Sequence, residues 1–382
     1  MNINETIIKL RQSASEIERS LCVINGEIMN IDEIEAMGWK EYAERSKVYM
    51  PLKLYKYFPN TDVFIDGRPV NYSYQALKDN TVFLGSPVDF DDVYDSDISL
   101  DFTVYISWRL RRYCEMMQVD FGENESSSEI FNKLMEKIYY CIQEKGELTT
   151  LHEKEHFSEL ERLSEQVFDL KIKNELITNN DLSKVLSNVL LSDYSEYSKY
   201  LKESFRVSCF TTTPYSQLMW GGSYADFHKG FCLEYKVQSN AHDYQDVLDN
   251  LFPVVYCKNK PDMTERLARS QDRDLTIESL WDIYFHGVLR KSIDWAYQNE
   301  WRLILPKRMG EDINYVVRFF PISKVFLGNR MESEKRREIM ELCKEKNIPY
   351  VGVTRNSLKY EMQECNNDCM ECPQYLSGLK HS

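Results

Sequence analysis

The chain has 382 residues, of which 43% are hydrophobic and 28% are charged, and its formal net charge is −14 at pH 7. This composition excludes extended disorder and collagen-like or coiled-coil architecture as a description of the whole chain. The excess of acidic residues disfavours broad electrostatic capture of nucleic acid or of an anionic membrane surface. No apolar run approaches the roughly 18 residues of a membrane-spanning helix. We therefore expect a cytoplasmic protein with no signal peptide and no membrane partner.

The N-terminal part of the chain combines short strands with long helical segments. Apolar residues at helical spacing predict an amphipathic helix over 4–22, whereas alternation in 52–58 and the apolar run in 81–87 predict two short strands. The segment 89–101 contains six aspartates, which we interpret as a solvated or ion-facing loop. From about 102 to 205, a composition rich in Glu, Lys, Leu and Ser predicts long polar helices.

Strand composition returns after residue 205. The segments 206–213, 214–228 and 230–237 predict a strand, a helix and a second strand in succession. A helical piece at about 262–291 precedes 294–305, whose second half has strand composition. Three more strands are predicted at NYVVRFF, KVFLG and PYVGVT, with a helix at EKRREIMELCKEKN before the last of them. We predict an α+β fold with a mainly antiparallel sheet.

The predicted division of the chain follows these changes in composition. An N-terminal helical segment covers 1–50, and the two parts of one shared core cover 51–105 and 206–330. A large helical insertion, 106–205, separates the two parts of the core. A βαβ-like appendage with a Cys-bearing tail covers 331–382.

Several blocks of the sequence resemble those of a known family. In chain order, within about 52–330, they are LYKYF, FLGSPVDFDDVYD, SCFTTTPYSQLMWGGSYADFHKGFCLEYK, DWAYQNEWRLI and KVFLG. Together they resemble the bacterial family catalogued as domain of unknown function 2971 (DUF2971). The block around Trp220, Tyr224 and Gly230 is the most specific. The resemblance implies a shared fold and names no reaction.

A second resemblance, to the ADP-ribosyltransferases, implies a chemistry. Their nicotinamide pocket combines a first strand with a polar residue, a Ser/Thr-bearing strand that leads into a helix, and a glutamate at the head of a later strand. The same order occurs in this sequence in Lys56 and Tyr57, in the segment 208–213, and in the Gln298-Asn299-Glu300 triplet. The resemblance therefore implies a core of ADP-ribosyltransferase-like type and an enzyme that consumes NAD⁺ as its substrate.

Cleavage of the bond between nicotinamide and ribose develops positive charge on the ribose, which a nearby carboxylate stabilises. We assign this role to Glu300 and the orientation of the acceptor to Gln298. Lys56 stands where the family has an arginine or a histidine, and a lysine cannot copy the bidentate contact of a guanidinium. Aromatic rings suit flat nicotinamide. The predicted cofactor site comprises Lys56, Tyr57, Ser208, Thr211, Trp220, Tyr224 and His228, and no metal is expected.

The resemblance also bears on the biological role. The reaction is a transfer of ADP-ribose to an unidentified protein or nucleic acid, or hydrolysis of NAD⁺ by a glycohydrolase. Such enzymes serve as toxins or anti-phage defence effectors, which is implied for this chain by analogy only.

Two other functions remain open. Glu234 and Lys236 share one face of a predicted strand. With the acidic loop, residues 89–97, they match a metal-dependent nuclease in which carboxylates hold Mg²⁺ and a lysine positions the attacking water. The third hypothesis is a non-catalytic module that binds a ligand or a protein in an aromatic pocket.

Two motifs have the spacing of metal ligands but favour a simpler interpretation. His152 and His156 match H-E-x-x-H, yet charged residues of a polar amphipathic helix surround them, so we interpret them as surface histidines. Cys365, Cys369 and Cys372 match part of a zinc site, which normally needs four ligands in two pairs. We therefore favour reduced cysteines in the tail.

Overall fold

The computed structural model describes residues 21–145, 194–195, 198–199, 201–238, 242–271, 277–307, 315–365 and 370. These residues fall into two compact units. The larger unit comprises the described parts of Met1–Ser96, Lys202–Lys260 and Val288–Ser382. The smaller unit comprises those of Asp97–Leu201 and Pro261–Gly287. Each unit therefore combines segments that are distant along the chain.

Short strands alternate with helices of five to nineteen residues along the described chain. The strands are β1 (Leu21–Ile24), β2 (Glu27–Asn30), β3 (Lys53–Phe58), β4 (Val63–Ile65), β5 (Arg68–Val70), β6 (Thr81–Phe83), β7 (Phe205–Thr211), β8 (Phe231–Lys236), β9 (Leu251–Pro253), β10 (Val255–Cys257), β11 (Arg290–Ser292), β12 (Glu300–Pro306), β13 (Val316–Arg318), β14 (Ile322–Leu327), β15 (Tyr350–Arg355) and β16 (Met362–Glu364). The helices are α1 (Ile31–Ala36), α2 (Trp39–Val48), α3 (Tyr72–Asp79), α4 (Phe102–Met117), α5 (Ser127–Lys145), α6 (Gln217–Gly221), α7 (Gln245–Asp249), α8 (Thr264–Gln271), α9 (Ile277–Val288) and α10 (Ser333–Glu345).

An eight-stranded sheet organises the larger unit. Its strand order is β16-β15-β14-β8-β3-β7-β12-β9, and its neighbours are antiparallel except for β14 and β15. Those two strands pair in parallel and are connected through α10. A four-stranded sheet, β11-β10-β1-β2, and the pairs β13-β6 and β4-β5 complete the sheets of the described residues. The predicted α+β architecture with mainly antiparallel sheet is confirmed.

Each face of the large sheet packs on its own apolar cluster. Leu54, Leu233 and Trp301 belong to the main core on one face. Tyr57 and Trp220 belong to a second cluster on the other face. Successive residues of a strand point to opposite faces, so a strand covered on both sides is apolar at most positions. The strands predicted over 52–58, 206–213 and 230–237 correspond to β3, β7 and β8.

The sheet opens between β3 and β7. In the described part of the chain, these strands are paired at a single position, Tyr55 opposite Thr211. Further along β7, Val207 pairs with Gly85 in an isolated bridge. At this end of β7, the segment after β6 therefore occupies the position beside the strand that β3 would otherwise hold. The carbonyl of Cys209, in the gap, accepts a hydrogen bond from Lys56 Nζ at 3.0 Å. The divergence of the two strands leaves room for a cavity.

Two glycines allow the ends of β8 and β14 to approach neighbouring backbone closely. A Cβ on Gly230 would lie 2.0 Å from the carbonyl oxygen of Phe58. A Cβ on Gly328 would lie 2.1 Å from the carbonyl oxygen of His228. No side chain fits at these distances. The loop between α6 and β8 can therefore approach the neighbouring backbone this closely only if both positions are glycine.

The helix predicted over 214–228 is much shorter in the structure. Ser216 caps α6 by accepting a hydrogen bond from the backbone N–H of Met219, and the helix ends at Gly221. Gly222 follows as the C-cap, and residues 226–228 all have positive φ. The glycine pair thus ends the helix instead of interrupting it, because glycine loses more backbone entropy in a helix than other residues do.

The smaller unit has a helical core of its own. Leu110, Phe131 and Met263, from α4, α5 and the segment before α8, lie in one buried apolar cluster. Asp101 caps the start of α4, and Gln118 ends it in a left-handed conformation. The described part of the predicted insertion is therefore helical. Residues 146–193, including His152 and His156, lie outside the described residues.

Other predictions also reach beyond the described residues. Residues 1–20 lie outside them, and the described part of the predicted N-terminal helical segment contains β1 and β2 as well as α1 and α2. Cys365 is buried, whereas Cys369 and Cys372 lie outside the described residues. Among the helices that the structure describes, none combines the length and the apolarity needed to cross a membrane.

Candidate functional site

A cavity of about 350 Å³ lies in the larger unit where β3 and β7 diverge. Its wall is formed by residues from four segments that are distant along the chain, within 55–57, 83–95, 207–224 and 291–300. Sites for small molecules commonly have volumes of about 300–1,000 Å³. The volume is therefore sufficient for a small ligand or for one part of a larger one.

Six of the nine predicted site residues line this cavity: Lys56, Tyr57, Thr211, Tyr224, Gln298 and Glu300. Glu300 is the first residue of β12 and lies directly opposite Thr211 of β7 in the antiparallel register. Opposed residues of antiparallel strands have Cα atoms about 5 Å apart. The glutamate and the threonine of the second resemblance are therefore immediate neighbours.

The three remaining predicted residues are not part of the described cavity wall. Ser208 precedes the wall residue Cys209 on β7, so its side chain lies on the other face of the sheet. Trp220 is fully buried, and its indole N–H donates a hydrogen bond to the carbonyl of Pro214 at 2.7 Å. His228 stacks on Trp220, with 6.4 Å between ring centroids. Trp220 and His228 thus pack against each other behind the described wall residues.

Glu300 belongs to a closed group of four buried charges, which we call the charge cluster: Asp95, Lys291, Glu300 and Arg302. Lys291 Nζ lies 3.1 Å from Glu300 Oε2 and 3.1 Å from Asp95 Oδ2. Arg302 Nε lies 2.7 Å from Glu300 Oε1, and its Nη2 lies 2.6 Å from the same oxygen of Asp95. None of the four residues is more than 9% exposed. Two cations and two carboxylates therefore balance each other in a low-dielectric site.

The charge cluster fixes the protonation of Glu300. Burial opposes ionisation of this carboxyl group, but Arg302 and Lys291 outweigh that effect and hold its pKa well below the usual value. Burial likewise opposes the charge on Lys291, but Glu300 and Asp95 raise its pKa above the usual value. Both groups are therefore ionised throughout the neutral range, and Glu300 is a fixed negative charge that does not take up a proton.

Gln298 connects the charge cluster to Tyr224. Lys291 Nζ donates to Gln298 Oε1 at 2.9 Å, and Gln298 Nε2 donates to the hydroxyl of Tyr224 at 2.7 Å. Gln298 ends a 3-10 helix, Ile293–Gln298, and Asn299 turns the chain with a φ of 42° before β12 begins. This turn brings Gln298 and Glu300 to the same ammonium group. Burial raises the pKa of Tyr224 to about 12, so its hydroxyl remains protonated.

The cavity wall is predominantly acidic. Its described residues include two lysines, Lys56 and Lys291, and five carboxylates: Asp89, Asp91, Asp92, Asp95 and Glu300. Walls of one sign concentrate their electrostatic potential within a cleft. The potential in this cavity therefore favours a group on which positive charge is present or develops.

The acidic loop, which was predicted to be solvated or ion-facing, is exposed at Asp89 and Asp91 but buried at Asp95. Asp95 is 1% exposed and holds both cations of the charge cluster. Asp89, Asp91 and Asp92 also line the cavity. The loop is therefore part of the site, and Asp95 is buried because Lys291 and Arg302 compensate its charge.

The ammonium group of Lys56 has three partners: a backbone carbonyl and two aromatic rings. Its ammonium, besides donating to the carbonyl of Cys209, lies 5.8 Å from the ring centroid of Phe58 and 5.3 Å from that of Phe210. Burial lowers the pKa of Lys56. Burial and the nearby Glu300 also raise the pKa of the Cys209 thiol to about 12. Cys209 is therefore a neutral thiol in the cavity wall.

Sequence reasoning missed Lys291 and Arg302 as site residues, and it considered Asp95 only as part of the acidic loop in the nuclease hypothesis. Arg302 was included in a predicted strand, EWRLIL, and Lys291 lies at the end of a segment predicted to be helical. One signal was available, because a charge within a strand that is otherwise apolar needs a buried partner. One partner, Glu300, lies two residues earlier on the same face of the strand, whereas the other partner, Asp95, was not readable because it is 207 residues away from Arg302.

The two parts of the nuclease hypothesis are not brought together in the described wall. Glu234 accepts hydrogen bonds from Tyr55 at 3.0 Å and Ser323 at 2.7 Å, and it pairs with Lys53 at 3.0 Å. It is not among the described wall residues, which include the acidic loop. Lys236, two residues further along β8, is exposed. Within the described residues, no group of three or more His, Cys, Asp or Glu side chains is arranged to hold a metal ion.

Comparison with known proteins gives one match. No curated protein and no solved structure matches the chain. Residues 219–303 match the model of the family described as Protein of unknown function (DUF2971). The matched segment contains Tyr224, Lys291, Gln298, Glu300 and Arg302, and the match supports the DUF2971 family, in agreement with the resemblance noted from the sequence.

Proposed function

We propose that the protein consumes NAD⁺, either as an ADP-ribosyltransferase acting on a macromolecular acceptor or as an NAD glycohydrolase. One observation carries the proposal. The carboxylate of Glu300 lies at the head of β12, opposite Thr211, in the wall of the cavity that Lys56, Tyr224 and Gln298 also line. The three strands to which the second resemblance assigns the nicotinamide pocket, β3, β7 and β12, are neighbours in one sheet.

The chemistry requires a fixed negative charge near the ribose. The bond between ribose C1′ and the nicotinamide nitrogen breaks, and its electron pair leaves with the nicotinamide. Water or the acceptor then bonds to C1′ and loses a proton. Positive charge develops on the ribose between these two steps, and a preorganised carboxylate stabilises it. Glu300 suits this role because its charge is present at neutral pH and its position is fixed on both oxygens.

The other wall residues suit the ligand's remaining parts. The acidic wall adds to the stabilisation of a cationic ribose. Gln298 offers an amide N–H for the nucleophile, since its carbonyl oxygen accepts from Lys291. Tyr57 and Tyr224 supply aromatic surface for a flat nicotinamide ring.

The proposal is tested by measuring nicotinamide release from NAD⁺ with purified protein, in the presence and absence of a bacterial lysate. We expect release by the wild-type chain, and we expect Glu300→Gln to lower its rate by about 100-fold or more, because removal of one stabilising group commonly costs that much. The substitution keeps the size of the side chain and removes its charge.

Glu234→Gln is the matched control. Glu234 is also 5% exposed, also pairs with a lysine and lies on β8 of the same sheet, but it is not in the described cavity wall. We expect this variant to release nicotinamide at the wild-type rate. Divalent-metal-dependent cleavage of nucleic acid that is lost only in Glu234→Gln would instead support the nuclease, and absence of both activities would support a binding module.

A further inference from the structure

We infer that Lys291 is a positioning residue of this site, which holds Glu300 and Gln298 in one arrangement for the reaction; the inference rests on the proposed function. Lys291 belongs to β11 of the four-stranded sheet, whereas Glu300 belongs to β12 of the eight-stranded sheet. The side chain therefore connects the two sheets of the larger unit at the cavity wall.

Lys291 uses all of its hydrogen-bond donors within the protein. An ammonium group has three N–H donors and no acceptor. Lys291 Nζ lies 2.9 Å from Gln298 Oε1, 3.1 Å from Glu300 Oε2 and 3.1 Å from Asp95 Oδ2. The indole ring of Trp295 covers it, with 5.2 Å between Nζ and the ring centroid. Because its donors are occupied, Lys291 acts on a ligand through its neighbours.

The ammonium also determines the orientation of the Gln298 amide. An ammonium only donates, so the amide atom that faces it at 2.9 Å must be the carbonyl oxygen. The amide nitrogen then faces the hydroxyl of Tyr224, which accepts from it at 2.7 Å. Gln298 also hydrogen-bonds the side chain of Tyr297, whose pKa is raised by burial and lowered by this contact, so the orientation set by Lys291 turns the amide N–H donors of Gln298 toward the two tyrosines. Without Lys291, the amide has no charged group to select this orientation.

The same ammonium keeps Glu300 in place. Arg302 holds only Oε1 of this carboxylate, and Lys291 holds Oε2. Loss of Lys291 leaves Oε2 without its ion pair, and the position of the carboxylate then depends on Arg302 and on the hydrogen bond with the Cys209 thiol. A displacement of about 1 Å of a group that stabilises a transition state can cost about 100-fold in rate. The effect belongs to the chemical step, because substrate binding uses the rest of the wall as well.

The experiment compares Lys291→Met, Lys291→Arg and Lys324→Met by steady-state nicotinamide release. Lys324 is the control, since it pairs with a single carboxylate, that of Glu364 at 2.6 Å, and is not in the described wall. We expect Lys291→Met to lower kcat by about 100-fold with a KM close to that of the wild type. Lys291→Arg keeps the charge, but a planar guanidinium cannot place one nitrogen on three oxygens, so its kcat should be intermediate. Lys324→Met should match the wild type.

Thermal melting and the folded fraction are measured for each variant. A purely structural role for Lys291 would lower the melting temperature and the yield but leave kcat per folded molecule unchanged. If Lys291→Met does not fold, Lys291→Arg decides: a kcat below that of the wild type supports the inference, and a wild-type kcat overturns it. An active wild-type chain whose Lys291→Met variant keeps its kcat overturns the role of Lys291 alone. A wild-type chain that releases no nicotinamide overturns the proposed function, and this role with it.

Discussion

Arg302 has four bonding partners and no exposure to solvent. Its guanidinium binds the carboxylates of Glu300 and Asp95, the hydroxyl of Ser96 at 3.2 Å and the carbonyl of Val288. Solvent cannot replace any of these bonds. The residue therefore holds the acidic loop, the backbone at Val288 and the head of β12 together within the larger unit, and it is not itself one of the described wall residues.

We expect Arg302→Met to destabilise the protein by about 3–5 kcal/mol, because it leaves two buried carboxylates with one cation between them. Urea denaturation measures the loss. Arg45→Met is the control, since Arg45 pairs with Glu41 on an exposed helix surface and such pairs contribute about 0–1 kcal/mol. Equal stability of the two variants would show that the charge cluster does not depend on Arg302.

At the scale of strands and helices, the approach of β14 to the loop before β8 depends on close contact between backbones. The N–H of Gly328 donates to the carbonyl of Gly230 at 3.0 Å, and the N–H of Arg330 donates to that of His228 at 3.0 Å. These bonds hold the loop that carries Tyr224. A side chain at either glycine would force the two backbones apart.

Gly328→Ala should destabilise the protein by about 1–3 kcal/mol, which is the usual cost of inserting atoms into a packed site. Its Cβ would lie 2.1 Å from the carbonyl oxygen of His228, so the backbone has to move. Gly122→Ala is the control, because the nearest atom to its Cβ would be 3.4 Å away, at ordinary contact distance. Chemical denaturation of both variants checks the difference, and equal midpoints would contradict it.

The sequence predicted some of the strands correctly, but it predicted one helix with the wrong length. Strands β3, β7 and β8 were predicted because runs of apolar residues bounded by turn residues are local signals. The helix over 214–228 was predicted too long, because a run of positive-φ residues such as 226–228 depends on contacts with the segment that follows β14. The carboxylate of Glu300 and the amide of Gln298 were named from their pattern. The cations that hold them, Lys291 and Arg302, were not named, because Lys291 stands in a segment predicted to be helical and Arg302 in a predicted strand, and their shared partner Asp95 is 207 residues away from Arg302.

At the scale of the whole molecule, buried and half-buried carboxylates lead us to expect a fold that is sensitive to acid. Burial opposes ionisation of Glu300, Glu234 and Asp282, but ion pairs and hydrogen bonds hold the pKa of each below its usual value. Glu300 and Glu234 lie in the larger unit, and Asp282 lies in the smaller one. Both units therefore contain groups that favour folding only while they are ionised.

We expect the urea midpoint to be nearly constant between about pH 6 and 8 and to fall below about pH 5. A carboxyl group whose pKa is lower in the folded state stabilises the fold above its unfolded-state pKa, and this contribution disappears as the pH falls toward the folded-state pKa. Glu300→Gln removes one such group, so its midpoint should fall less steeply in acid. A midpoint that rises toward pH 4, or an unchanged slope in the variant, would contradict this account.

The long separation between Asp95 and Arg302 has a consequence for synthesis on the ribosome. Translation at about 5–20 residues per second adds the intervening 207 residues in roughly 10–40 s. During that interval the nascent chain contains Asp95 without the guanidinium that later neutralises it, and β12 does not yet exist. An incomplete chain therefore has no assembled cavity until β12, whose first residue is Glu300 of the cavity wall, has been synthesised.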